Sequence, residues 1–410
     1  MSHFREHTRC RACGSDRLDV YLDLGAQPLA NAFLRRDQLT EPEFTAPLQL
    51  ARCLQCDLSQ LTHVVDPDLL YRHYHYESGH AAGWHDHCAA LAEETRAMAG
   101  PRKLVYDLAC NDGVLLRACQ DVGCHVVGVD PALNLRTGPV PVVREFWTED
   151  LAKRCADWPG TPDIVVAQNV LGHVDDVLDF LKGIAWALRV GGTAIIECPH
   201  ILPLLERTAF DTVYHEHLSY WSLGPLQRLA ARAHLTVVRV RRFPDLHGGT
   251  VRYYLRPALP SARPDASVEG LLADETALTP ERYQAFTGCV QTTTARLRQI
   301  LAEYGASQAL YAYGASAKST VLLNAVDPEH FLATASIRAI FDDTPGKQGL
   351  FAPGTSLPVV APPEDFSKVS ALLVTAPNWY RELREKVIAR GFRGTFLVPW
   401  QGVLVESAES

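Results

Sequence analysis

The stretch KLVYDLACNDG, residues 103–113, reads as a buried strand running into a tight turn, and VLLRAC, 114–119, carries on as a helix. A second strand, HVVGVD at 125–130, ends on an acid 23 residues after Asp107. An acid closing the second strand of a βαβ unit is placed to hydrogen-bond the hydroxyls of a ribose. The turn holds one glycine, Gly113, and lacks the GxGxxG fingerprint that brings backbone against a pyrophosphate, so a ligand without phosphates fits it better. The bland alternative is an α/β fold in which Asp107 and Asp130 merely cap strands.

Outward from this unit, DIVVAQN at 163–169 gives a further strand with His173 after it, and LRVGGTAIIE at 188–197 gives a turn and another strand. That succession predicts a parallel, doubly wound α/β sheet. Beyond it comes YHEHLSY, 214–220, two histidines around a glutamate with tyrosines at both ends. It falls on the side where such sheets bind ligands, outside the carboxyl ends of their strands, and its proton-carrying groups mark it as a site. A lone histidine is more often a satisfied core or surface residue, and that plainer reading suits His215 better than His217.

Toward the N-terminus, Cys10-Arg-Ala-Cys13 and Cys53-Leu-Gln-Cys56 are two CxxC knuckles. Each lets two sulfurs face one ion, and four thiolates make a closed tetrahedral site for a structural Zn2+. Free thiols or redox pairs are the alternative. The intervening residues 14–52 exceed the usual zinc-ribbon spacing and are expected to loop out. The other seven cysteines, Cys88, Cys110, Cys119, Cys124, Cys155, Cys198 and Cys289, show no pairing and read as small buried hydrophobes.

Toward the C-terminus, RPALPSARPDAS at 256–267 reads as a linker. Thr279 and Pro280 then open a long helix whose apolar residues, from Tyr283 to Tyr304, recur at helical spacing as packing. Ala309 to Lys318 repeats the strand–turn–helix theme, and IRAIFDD at 337–343 is a strand with terminal acids. A single turn glycine there, Gly314, argues against a second working nucleotide pocket.

The 410 residues, 47% hydrophobic and 21% charged, suit a globular protein of two or three domains. A net charge of -8 without a basic block argues against nucleic acid, and the first twenty residues carry no signal-peptide core. No run approaches the roughly 18 apolar residues of a membrane span, so a cytoplasmic monomer is expected. Eleven cysteines, an odd number, make a disulfide framework improbable.

Taken together, the two CxxC pairs with LGAQPLANAF (24–33), the core DLACNDGVLL (107–116) with VGVDP (127–131), FDTVYHEHLSYWS (210–222), HGGT (247–250), and YGASAKS (313–319) with FDDTPGKQG (341–349) resemble the sugar C-methyltransferase family that acts on nucleotide-linked deoxysugars. The resemblance spans nearly the whole chain. It implies a zinc-binding module at 1–75, an S-adenosylmethionine-dependent methyltransferase domain at 76–250, and a second Rossmann-like domain at 251–410. It implies a dTDP-linked keto sugar in the cleft between the domains. Asp130 would hold the cofactor's ribose; Asp107, Ala109, Asn111 and Gly113 would form the turn beside its methionine part; Gln168 and Asn169 would border the adenine or the sulfonium.

The implied chemistry accounts for YHEHLSY. A carbon next to a ketone needs a base within reach of its proton and a donor on the developing enolate oxygen. The base matches His217, with Glu216 orienting it and Tyr214 near the ketone, while His173 and Tyr76 match proton or oxyanion partners. Two departures stand out. Glu77 and His80 replace small hydroxyl residues after the zinc module, which bears on the substrate, and Ala109-Cys110 replaces a glycine-serine turn. Competing readings are an NAD-dependent oxidoreductase or epimerase, which lacks the glycine fingerprint in both halves; an RNA methyltransferase, which the acidic charge disfavours; and a non-methylating relative that only exchanges the proton.

Overall fold

The structure is a computed structural model that describes all residues except 1, 2, 75, 81, 82, 155–159, 190, 306–309, 329–335, 400, 401, 409 and 410, and describes 80, 305 and 378 by backbone alone. Cys155, Ala309 and the side chain of His80, singled out above, lie outside the described residues.

The N-terminal module comprises β1 (Phe4–Glu6), β2 (Leu18–Pro28), β3 (Thr45–Cys53), β4 (Ser59–Leu61) and β5 (His63–Val65). β1 pairs with β5, and β2, β3 and β4 form an antiparallel meander. Along β3, Ala46, Leu48 and Leu50 alternate inward with the period of two that one buried face demands. Residues 14–52 therefore do not loop out: they build β2 and nearly all of β3, because their apolar side chains have a core to fill.

The middle domain comprises β6 (Leu104–Leu108), β7 (His125–Val129), β8 (Val142–Val143), β9 (Ile164–Gln168), β10 (Thr193–Pro199), β11 (Ser219–Tyr220), β12 (Leu235–Phe243) and β13 (Thr250–Pro257). Seven of these form one sheet in the order β12-β13-β10-β9-β6-β7-β8. The neighbours from β8 to β10 are parallel, but β13 runs antiparallel to both β10 and β12. The expectation of a wholly parallel sheet is corrected at this one strand, which enters through the short turn 244–249 rather than a helical crossover. The eighth strand, β11, leaves this sheet and extends the N-terminal meander by pairing with β4.

The expected boundary at 250/251 falls at the start of β13, whose Val251, Tyr253 and Leu255 are buried in the middle sheet. The Pro-rich stretch after it is a loop within that domain. It leads to the helix Ala266–Glu275, anchored on β12 by Asp265 N–H to the Val238 carbonyl and Val240 N–H to Ser267 Oγ, both at 2.9 Å. Proline-rich composition marks a turn equally well inside a domain and between two.

The helix Pro280–Gly305 follows, with Thr279 Oγ1 accepting from Arg282 N–H as an N-cap. The last domain carries β14 (Leu310–Tyr313), β15 (Ile337–Phe341), β16 (Val359–Val360), β17 (Ala371–Val374), β18 (Thr395–Val398) and β19 (Leu404–Ser407), in the order β16-β15-β14-β17-β18-β19. Five are parallel and β19 is antiparallel. It repeats the middle domain's opening in detail. Asp342, after β15, accepts from Ala315 and Thr344 N–H groups, as Asp130, after β7, accepts from Asn111 and Ala132.

The apolar cores cross the domain divisions. Cys10, Cys53 and Cys56 share a cluster with one face of the middle sheet. Leu22, Leu48, Leu50 and Leu61 of the N-terminal meander share another with the long helix and the C-terminal sheet. The N-terminal module thus sits between the two α/β domains. Among the described residues no helix is long and apolar enough to cross a membrane.

Candidate active site

β7 lies on one side of β6 and β9 on the other, so a crevice opens at their carboxyl ends. Ala109, Asn111 and Asn169 stand there in left-handed backbone, at φ 58°, 52° and 52°, beside Gly113 at 78°. A left-handed conformation costs a non-glycine residue roughly 1–2 kcal/mol, and strain of this kind gathers at functional sites. Ala109, standing where a glycine was expected, takes the left-handed backbone that favours glycine.

Asp130 fixes the turn: its Oδ2 accepts from Asn111 N–H and its Oδ1 from Ala132 N–H, each at 2.8 Å. Asp107 is buried beneath, and burial together with the Asp130 charge raises its carboxyl well above the usual range. Asn111 in turn holds a covering segment, with its Oδ1 accepting from Ser78 N–H and its Nδ2 donating to the Tyr76 carbonyl. Asn169 leaves its buried Oδ1 without a partner among the described residues, while its amide nitrogen faces His247 Nδ1 at 3.3 Å. Gln168 donates to Glu197 Oε2 at 2.6 Å, tied into a buried cluster of Glu197, His87 and Arg252.

YHEHLSY enters the same crevice from the far side. The 3-10 turn Phe210–Thr212 precedes it, and the Thr212 carbonyl lies 2.7 Å from His217 Nδ1. That contact makes Nδ1 the protonated nitrogen and leaves Nε2, which has no protein partner among the described residues, as the basic one. Burial lowers the His217 pKa to about 4, so the ring is neutral at neutral pH. Its ring lies 3.9 Å from that of Tyr214 and 5.0 Å from that of His173. His173 Nδ1 faces the Tyr71 hydroxyl at 3.2 Å, which donates to the Glu216 carbonyl at 3.0 Å, so His173 Nε2 is also the basic nitrogen.

Glu216 does not orient His217 as expected; the Thr212 carbonyl does. The Glu216 side chain turns the other way, accepting from Asn31 Nδ2 at 2.7 Å and from the Tyr74 hydroxyl at 3.4 Å. Burial pushes its carboxyl up to about 7. His215 is structural: it is buried, with Nε2 against the Ala46 carbonyl at 3.1 Å. Tyr76 is 48% exposed, at the rim, with its ring edge-on to Tyr74 at 6.5 Å.

Sequence reasoning passed over Asn31, Tyr71, Tyr74 and the Thr212 carbonyl. A backbone oxygen carries no sequence signal. Tyr71 and Tyr74 precede Tyr76 in one aromatic run, YRHYHY, whose spacing could have drawn all three in.

The four cysteines converge as the spacing predicts, with all sulfurs within 4.8 Å of one another and Cys10–Cys56 and Cys13–Cys53 each at 3.5 Å. A tetrahedron with Zn–S bonds near 2.3 Å has edges of about 3.8 Å, so the cluster fits zinc. Both knuckles close alike, Gly14 and Asp57 following the second cysteine at φ 79° and 66°. Arg11, inside the first knuckle, donates to the Leu61 and Leu218 carbonyls, and Leu218 adjoins His217.

Residues 10–71 match the family described as "Putative zinc binding domain", 84–240 a "Methyltransferase domain", and 245–399 the "C-methyltransferase C-terminal domain". The C-methyltransferase NovU of Streptomyces niveus is 31% identical over 98% of this chain and 97% of its own. A ubiquinone biosynthesis O-methyltransferase of Cupriavidus pinatubonensis is 25% identical over 44% of this chain and 75% of its own. The crystal structure of a Burkholderia thailandensis 1,6-didemethyltoxoflavin-N1-methyltransferase covers 43% of this chain and 78% of its own, at 18% identity and a TM-score of 0.32, a likeness that adds nothing to the assignment. The match to NovU runs through all three domains, and the chain belongs to its family: it is an S-adenosylmethionine-dependent C-methyltransferase with an N-terminal zinc-binding module.

Proposed function

We propose that the enzyme methylates a carbon next to the ketone of a nucleotide-linked 4-keto-deoxysugar, dTDP-linked in the first instance, and that His217 removes the proton from that carbon. The observation that carries this reading is the state of His217: Nδ1 is engaged by the Thr212 carbonyl, Nε2 has no protein partner among the described residues, and burial keeps the ring neutral at neutral pH. A base of this kind, placed within about 3 Å of the proton, contributes typically 10²- to 10⁴-fold in rate.

The other groups take roles that follow from their surroundings. Tyr214, packed on the His217 ring, offers a phenol that burial keeps protonated and so able to donate to the enolate oxygen. His173 is held by Tyr71 with its own basic nitrogen free, as a relay for the abstracted proton. Tyr76 closes the rim over the substrate. S-adenosylmethionine supplies the electrophilic methyl group. Asp130 and the turn Ala109–Gly113 would hold its ribose and methionine parts, with Gln168 and Asn169 bordering the adenine or the sulfonium.

The zinc site, with four protein thiolates and no open position, is structural. The reading is tested by incubating the protein with S-adenosylmethionine and a dTDP-linked 4-keto-deoxysugar. The sugar should gain one methyl group on carbon, located by NMR; a methyl group on oxygen, or none across a panel of keto sugars, overturns it.

A further inference from the structure

The N-terminal module does more than carry zinc. Its segment 29–34, between β2 and β3, is a strap that touches both α/β domains. On one side the Ala30 carbonyl accepts from Thr320 Oγ1 at 2.9 Å, and Leu34 and Phe351 exchange both backbone hydrogen bonds, at 2.9 and 2.8 Å. Further along, Glu43 accepts from Gly354 N–H at 2.7 Å. On the other side Asn31 reaches the catalytic loop, with Nδ2 at 2.7 Å from Glu216 Oε1.

Glu216 is 4% exposed, and no cationic side chain pairs with it among the described residues. Among the described residues its second oxygen has only the long contact from Tyr74. The titratable groups facing it are the phenols of Tyr71, Tyr74 and Tyr214, all of which burial holds protonated. A buried carboxylate without a cation depends on its hydrogen-bond donors for its charge, and Asn31 supplies the short one.

We propose that Asn31 is a positioning residue of the active site, supplied by the zinc-binding module of the same chain, whose side-chain amide holds the Glu216 carboxylate as an anion in the loop that carries His217. The inference rests on His217 taking a proton. The Glu216 side chain turns away from the ring, so it acts through space and not by a hydrogen bond: an anion one residue along in the same buried loop offsets part of the positive charge that the imidazole then acquires, and a neutral Glu216 does not. The Asn31 and Tyr74 donors work against burial to keep the carboxyl no higher than about 7, so removing the Asn31 donor moves its titration further alkaline. The strap thereby makes the active form of the catalytic loop depend on the N-terminal module being docked against both domains.

The test uses the full-length zinc-loaded protein and Asn31→Leu, which keeps the volume and removes the donor, with Asn31→Asp as a second variant that also adds an acceptor. Two readings are taken. One is the titration of the Glu216 carboxyl, followed as the infrared carbonyl band that disappears in Glu216→Gln. The other is the pH profile of exchange of the substrate's α-hydrogen in D2O. In both variants the carboxyl should titrate at least about one pH unit higher, and exchange below neutrality should fall by about tenfold and recover at alkaline pH. Unchanged zinc content shows that the module remains folded, and if one variant fails to fold the other decides. A carboxyl titration that stays put, or exchange that falls equally at every pH, overturns the proposal. Absence of exchange in the wild type would instead overturn the proton-abstraction reading, and the carboxyl titration would still decide the role of Asn31.

Discussion

His215 and His217 stand two residues apart and differ in everything that matters for chemistry. His215 is spent on the Ala46 carbonyl inside the N-terminal sheet, whereas His217 keeps a basic nitrogen free in the crevice. Residue type pointed to this loop but not to this division, because it depends on which carbonyls the fold brings near each ring. The same limit hid Asn31, 185 residues from Glu216, while Asp130 was legible because a strand end and its spacing define its place. Asp130 is bonded to two backbone amides, so it works on the turn as well as on any ribose. Asp130→Ala should therefore weaken S-adenosylmethionine binding by about 1.5–3 kcal/mol and lower the melting temperature together. Calorimetry showing unchanged affinity would remove Asp130 from the cofactor site.

At the scale of elements, the strands of the middle domain could be read from the sequence because each is a short apolar run bounded by turn residues. The direction of β13 could not, since Val251, Tyr253 and Leu255 look the same in a parallel or an antiparallel neighbour. Nor could β11, two residues long, which crosses to the N-terminal sheet and ties the catalytic loop to β4. The zinc knuckles were legible in full, since two cysteines on a tight turn have few other uses. Their reach was not. Arg11 in the first knuckle and Leu61 at the end of β4 both donate to the Leu218 carbonyl, next to His217. Elemental analysis should find one zinc per chain, and stripping it with a chelator should lower both thermal stability and α-hydrogen exchange. An active, metal-free protein of full stability would contradict the assignment of the four cysteines.

Across the whole molecule, the order of a zinc module followed by two α/β domains was legible from composition and motif spacing, whereas their interpenetration was not. One apolar cluster joins the N-terminal module to the middle sheet and a second joins it to both α/β domains, and the loop 214–220 is held by contacts from residues 11, 31, 61 and 71. Such contacts join segments more than a hundred residues apart, and periodicity within a window cannot report them. The account of this assembly turns on His217 as the base, and exchange of the α-hydrogen with solvent isolates that step from methyl transfer. The measurement is the NMR rate of deuterium uptake from D2O by a dTDP-linked 4-keto-deoxysugar, with wild type, His217→Asn and His215→Ala at equal zinc content. The account predicts a fall of about 10²- to 10⁴-fold for His217→Asn with both ligands still bound, and a much smaller one for His215→Ala. Uptake by His217→Asn as fast as by the wild type would contradict it and move the base to His173 or Tyr76.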